Sequence, residues 1–233
     1  MRKGRHGFVL VAVVTLLLFA SGIANADPVR IDQLAPIVNG AGLGCCSSEN
    51  WAQTFTVGIT GILRTIGLPL SQPPLPDDFS GQFAIQLRAT SGGVPTETIL
   101  AETILAKSSL PSLSTPGIHF QFTTSFSGLD TPVAAGQQLA IVLSNVGHNG
   151  QNISWATNDA PGTYSAGTPF RQPREFTGLT GDVGEIVGPW GPVNDFDFAF
   201  FTAVEPVSAT PEPGTALLLA TGFAWLARRR AAL

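Results

Sequence analysis

The sequence predicts an all-β fold, a single β-sandwich of jelly-roll type with about eight or nine strands. Three observations predict it. Gly (26) and Pro (18) are frequent in 233 residues while charged residues make up only 12%, and helix breakers at that density leave little room for a bundle of long helices. Phe numbers 15 and β-branched residues are plentiful, so the chain can bury a core rather than stay disordered. Several segments alternate apolar and polar residues with period two, the pattern of a half-buried strand.

In chain order, the first element is a leader. Arg2, Lys3 and Arg5 precede an apolar run from Phe8 to Ala20, and Ala24-Asn25-Ala26 follows. A basic region, an apolar core and a small-x-small site define a secretory signal peptide over 1–26. The apolar run is shorter than the roughly 20 residues of a spanning helix. The mature chain is expected to begin at Asp27, with a β-sandwich over 27–203 and a linker over 204–210.

The strand signals follow. Trp51, Gln53, Phe55 and Val57 alternate with Ala52, Thr54 and Thr56. Phe83, Ile85 and Leu87 alternate with Gln82, Gln86 and Arg88. The pattern returns at Ile118, Phe120, Phe122 and at Leu139, Ile141, Leu143. A last strand over Asn194 to Thr202 is expected to turn Phe196, Phe198 and Phe200 inward and Asp195 and Asp197 outward. Weaker strand signals cover Val29 to Val38, Gly61 to Leu70, Thr98 to Ala106 and Asn152 to Thr157. The ETIL repeat within Glu97 to Lys107 suits a helix by length. Its four β-branched residues (Thr98, Ile99, Thr103, Ile104) and Pro95 favour a strand. Turn signals separate these segments, among them Ser91-Gly92-Gly93 and Ala134-Ala135-Gly136.

The C-terminus combines three ordered parts: Pro211-Glu212-Pro213, an apolar stretch from Ala216 to Ala227, and Arg228-Arg229-Arg230. Those 12 apolar residues make a helix of about 18 Å, short of a roughly 30 Å hydrocarbon core. The arginines are expected to stay cytoplasmic. These 23 residues, 211–233, resemble the PEP-CTERM sorting signal of Gram-negative bacteria. The resemblance implies Pro211, Glu212 and Pro213 as the recognition motif and Arg228, Arg229 and Arg230 as the basic tail. It also implies a hydrophobic helix, an exosortase-type processing enzyme at the inner membrane as partner, and a destination in the envelope, at the cell surface or in an exopolysaccharide matrix. A second resemblance rests on Ala52-Gln53-Thr54-Phe55-Thr56-Val57, the Ala84 to Thr90 strand with Ser91-Gly92-Gly93-Val94-Pro95, and Pro132 to Leu143. In that order they look like secreted sandwich domains of the choice-of-anchor type. This resemblance implies the fold but no activity.

Trimming both tails changes the charge. Six basic residues remain against fifteen acidic ones over Asp27 to Thr210, a net of −9. Such a surface repels nucleic acid and anionic lipid and tolerates neutral glycans or cations. The only cysteines, Cys45 and Cys46, are adjacent. In an oxidising compartment they form a strained vicinal disulfide, pair between molecules, or stay as free thiols. Two cysteines without histidine do not make a zinc site.

No nucleophile elbow, zincin or P-loop motif occurs in the chain, and His119 and His148 read as surface or loop residues. Carboxylate pairs stand at Asp77-Asp78, Asp182 with Glu185, and Asp195 with Asp197. On one strand face the last pair would sit about 6.5–7 Å apart, a spacing that suits a hydrolase pair, a structural calcium site completed by Asn194, or a plain solvated edge. Aromatic residues among polar loops suggest sugar stacking at Trp155, Tyr164, Phe170 and Trp190. The loop Gly188-Pro189-Trp190-Gly191-Pro192 either presents its Trp to a ligand or folds it back as a cap. The sequence therefore suggests a non-enzymatic exported protein of structural or adhesive role. The alternative is a carbohydrate-binding, lectin-like module helped by calcium, with polysaccharide as partner and no nucleic acid. An extracellular hydrolase is the third and weakest reading.

Overall fold

Four aromatic side chains from three separated stretches of sequence meet at one point. Phe198 stacks on Trp155, with centroids 4.2 Å apart and planes 20° apart, and meets Trp51 (5.4 Å) and Phe196 (5.1 Å) edge-on. Phe200, two residues along, touches Phe55 at 5.7 Å. The strands that carry them explain this convergence. The structure is a computed structural model and describes residues 28–37, 42–45, 49–72, 81–111, 123–146, 153–158, 164–174 and 185–207. The strands are β1 (Arg30–Ala35), β2 (Gly42–Cys45), β3 (Glu49–Thr56), β4 (Gly61–Leu68), β5 (Leu70–Ser71), β6 (Gln82–Ser91) and β7 (Val94–Ala106). After a 3-10 turn at Lys107–Ser109 come β8 (Thr123–Val133), β9 (Gln138–Val146), β10 (Ile153–Asn158), β11 (Pro169–Pro173), β12 (Gly191–Pro192), β13 (Asp197–Phe198) and β14 (Phe200–Pro206). All fall within one unit, Pro28–Pro206.

The fold is all-β, with antiparallel pairing throughout the described strands. A six-stranded sheet runs β12-β11-β3-β9-β6-β7, a four-stranded sheet runs β1-β14-β4-β8, and a small sheet runs β13-β10-β2 with β5 also on β10. One core joins all three. It holds Phe55, Ile85, Leu87, Ile141 and Leu143 from the large sheet, Leu63, Ile66, Phe200 and Val204 from the four-stranded sheet, and Ile153, Trp155 and Phe198 from the small one. Antiparallel sheets facing a shared core are consistent with a β-sandwich. The β6–β7 hairpin closes at Gly92 and Gly93, with φ of 58° and 85°. Two successive positive φ values are the demand of a tight hairpin turn, which glycine meets without strain.

The alternation in β3, β6 and β9 marks the inward faces correctly, but it does not mark solvated outer faces. Ala52 and Thr54 are as buried as Trp51 and Phe55, and Gln86 and Arg88 are only 7% and 5% exposed. These strands lie in the interior of a six-stranded sheet whose outer face carries its own apolar cluster of Ala52, Ala140, Val142 and Phe170. The segment with the ETIL repeat is strand β7. Two further departures have physical causes. The last strand is not continuous over Asn194 to Thr202: β13 pairs with β10, while β14 pairs with β1 and β4. Between them the chain changes sheets at Ala199, yet Phe196, Phe198 and Phe200 all turn to the common core as expected, while Asp197 is buried rather than outward. The strand β14 also runs through 204–206, with Val204 fully buried, so those residues belong to the sheet rather than to a linker. Strands β8 and β11 give weak signals because Thr, Ser, Gly, Pro and Gln dominate them. The leader over 1–26, the strand signal at Ile118 to Phe122, and the C-terminal signal lie outside the described residues.

Replacing Phe198 by Ala is expected to destabilise the domain by about 3–5 kcal/mol, because three aromatic partners lose their common neighbour. A denaturant midpoint left unchanged would contradict this packing.

Candidate functional site

The residues singled out for binding fall in two places. The first is the junction between β13 and β14. Trp155 is fully buried, and its indole N–H donates to the Ala199 carbonyl at 2.8 Å. It is a core residue and offers no face to a sugar. Tyr164 is buried too. Its ring meets Phe200 edge-on at 5.1 Å, and its hydroxyl donates to Gln33 Oε1 at 2.9 Å. Burial pushes the phenol well above its ordinary value, and the nearby charges of Asp32 and Asp197 add to the shift.

The metal candidates separate. Asn194 and Asp195 are exposed, whereas Asp197 is 3% exposed and its Oδ2 accepts the backbone N–H of Tyr164 at 3.0 Å. The expected outward pair does not exist: Asp195 lies before β13 and stays exposed, whereas Asp197, at the start of β13, turns inward to the Tyr164 N–H. Among the described residues no group of three or more His, Cys, Asp or Glu is placed to hold a metal ion. Gln53 completes the junction. It is fully buried in the apolar phase of β3, and its Oε1 accepts the Phe198 N–H at 2.9 Å while its Nε2 donates to the Thr54 carbonyl at 3.2 Å. A polar residue in the apolar phase of a strand is the signal that points to such a bond. Cys45 ends β2 opposite Ile153. Its side chain lies outside the described residues, as do Cys46, Pro211, Glu212, Pro213, Arg228, Arg229, Arg230, His119 and His148.

The second place is the outer face of the six-stranded sheet. The chain over 186–193 runs antiparallel along β11. Ile186 bridges to Arg174, the Val187 N–H reaches the Pro173 carbonyl at 3.2 Å, Gly191 pairs with Arg171, and the Val193 N–H reaches the Pro169 carbonyl at 2.9 Å. This seam lays Trp190 against Phe170, Ala52, Ala140 and Val142. Trp190 is half-buried, and its indole N–H is buried without a partner. Of the three aromatic residues proposed from sequence for ligand binding, Trp190 alone keeps an accessible part.

Polar groups flank it. Asn50 is fully buried, and its Nδ2 donates to Gln172 Oε1 at 3.2 Å while its Oδ1 has no partner. Arg174, two residues beyond Gln172 on β11, donates from Nη2 to Ser144 Oγ at 2.8 Å, and its Nε is also without a partner. Burial lowers the pKa of Arg174, and the positive charge of Arg88 lowers it further. Arg88 itself donates to Gln86 Oε1 at 2.8 Å and pairs with Glu97 at 3.1 Å. The face therefore carries two guanidinium groups, an amide acceptor and an indole donor around an apolar patch. The unpartnered atoms of Asn50, Arg174 and Trp190 are themselves buried, so what the face presents outward is the accessible part of the Trp190 ring.

Tyr164 is the only tyrosine, so tyrosinate absorbance reports it alone. In the folded protein it is expected to stay neutral past pH 10. A folded pKa above the unfolded one leaves stability intact below pH 10 and lowers it as pH climbs above that value. Tyr164→Phe is expected to remove that alkaline slope, and folded-state ionisation at pH 10 would contradict the buried phenol. No protein-family model matches this chain, and no curated protein matches it.

Proposed function

We propose that this chain is an exported, non-enzymatic protein of the cell envelope, cell surface or exopolysaccharide matrix of a Gram-negative bacterium, with a structural or adhesive role. The observation that carries the reading is the ordered C-terminal triplet of Pro211-Glu212-Pro213, a short apolar stretch and Arg228-Arg229-Arg230. A leader at 1–26 exports the chain. The C-terminal helix stops it in the inner membrane until an exosortase-type enzyme releases it near Pro211. The domain between them is read as a jelly-roll β-sandwich. Its structural uses of polar groups support this: Asp197 and Tyr164, which the sequence offers for chemistry, serve as hydrogen-bonding partners in the interior. The net charge of −9 over Asp27 to Thr210 argues against nucleic acid as partner.

A glycan-binding role is the second reading, and the position of Trp190 favours it. A partly exposed indole ring on an otherwise covered sheet face suits stacking against a hydroxyl-rich ligand. In this reading the site lies on the outer face of the large sheet and no longer includes Trp155 or Tyr164.

Two outcomes are expected. Replacing Pro211, Glu212 and Pro213 by Ala should hold the chain in the inner-membrane fraction, and unchanged release would remove the sorting role of the motif. If the second reading holds, the purified protein should be retained on the exopolysaccharide of its own host, with or without added calcium, and Trp190→Ala should lose that retention. Absence of retention in both conditions removes the glycan reading and leaves the structural one.

A further inference from the structure

Strand β7 forms one edge of the six-stranded sheet, with β6 as its sole partner among the described strands. It is 13 residues long and exposed along most of its length. Four large apolar side chains stand in solvent there: Val94 (38%), Ile99 (45%), Leu100 (41%) and Ile104 (46%). An open edge of this kind templates the addition of another strand, so proteins blunt such edges with proline, bulges, lysine or inward-pointing charge.

The two halves of β7 differ in that protection. From Val94 to Leu100 the pairing with β6 shifts register twice, and Pro95 lies in the same half. From Ala101 to Ala106 the register against Gln82 to Leu87 is uninterrupted. That half contains no proline, lysine or bulge. Its one charge, Glu102, accepts a hydrogen bond from Gln86 Nε2 on the neighbouring inner strand, which draws the carboxylate back over the sheet. Glu97, in the bulged half, is drawn back in the same way by Arg88. The edge over 101–106 is thus regular, apolar and short of charge in a domain that is otherwise acidic.

We propose that this edge pairs with the same edge of a second copy of the chain, forming a symmetric antiparallel dimer across residues 101–106. The geometry selects this occupant. A two-fold axis normal to the sheet keeps each face on its own side only when opposed residues have equal parity, so the axis passes through a residue. An axis at Thr103 sets Glu102 against Ile104 of the other copy and Ala101 against Leu105. An axis at Ile104 sets the two Ile104 side chains side by side and Glu102 against Ala106. Neither arrangement opposes Glu102 to Glu102, the like-charge pairing that would disfavour association. Two acidic domains can therefore meet along a seam that opposes no like charges. The outward backbone groups of both strands gain partners, and Leu100 and Ile104 leave water. This inference is independent of the sorting signal and of Trp190.

The test is sedimentation velocity of the full chain in a mild detergent over a range of concentrations. The expected result is a reversible rise from the mass of one chain to that of two. Ile104→Glu should weaken the dimer about a hundredfold or more, because it sets the new carboxylate against Glu102 of the other copy in the first arrangement and against its own counterpart in the second. Ile186→Lys, an exposed apolar position outside the edge, should leave the dimer unchanged. Amide exchange in the unmodified chain gives a second readout that needs no variant: residues 101–106 should exchange more slowly at concentrations where the dimer forms. A single-chain mass at every concentration, a dimer indifferent to Ile104→Glu, or exchange over 101–106 that does not vary with concentration would each overturn the proposal.

Discussion

The sheet change at Ala199 is the constraint on which the rest of the domain depends. There the chain leaves the small sheet for the four-stranded one, and it does so in the interior, where water cannot satisfy the backbone. Each freed donor needs a partner supplied by the protein, since an orphaned buried N–H costs about 1–3 kcal/mol. Gln53 Oε1 takes the Phe198 N–H, the Ala156 carbonyl takes the Ala199 N–H, and Asp197 Oδ2 takes the Tyr164 N–H. Trp155 fills the remaining carbonyl at Ala199 and stacks on Phe198. Through these bonds β3 of the large sheet, β10 of the small sheet and β14 of the four-stranded sheet are held to one another. The aromatic cluster and the polar clasp are parts of the same joint.

That joint explains why the residues that look chemical are mostly structural. A buried carboxylate must be hydrogen-bonded to remain there, and Asp197 is held by the backbone of a segment more than thirty residues away in sequence. Tyr164 likewise gains its hydroxyl partner only by long-range folding against Gln33. Groups committed in this way are poor candidates for exchange with ligand or metal. The outer face of the large sheet is different. There Asn50, Arg174 and Trp190 each retain a buried polar atom without a hydrogen-bond partner.

The two faces and the free edge of the large sheet thus have distinct characters. The inner face is mostly apolar, holds the buried Gln53 and Asn145, and belongs to the common core. The outer face mixes guanidinium, amide and indole groups around an apolar patch. The β7 edge presents aliphatic side chains and backbone. On the proposed reading, these surfaces serve to hold on to neighbours, whether hydroxylated polymer or further copies of the chain.

The local pattern of residues was enough to determine much of this protein. Breaker density and period-two alternation imply strands, and Trp51, Phe55, Phe83, Ile85, Leu87, Leu139, Ile141 and Leu143 are legible as one core phase because a strand imposes that period on its own side chains. The Gly92-Gly93 hairpin is legible because its backbone conformation is a property of those two residues. Only the tertiary structure decided which polar residues face inward, that Asp195 and Asp197 part company, and that Trp155 is buried while Trp190 is not. Each of those outcomes is set by which strand becomes whose neighbour. Alternation assigns a side chain to a face, but the covering of that face by β11 and the chain over 186–193, and the sheet change at Ala199, arise from pairings between residues far apart in sequence. No local window carries that information.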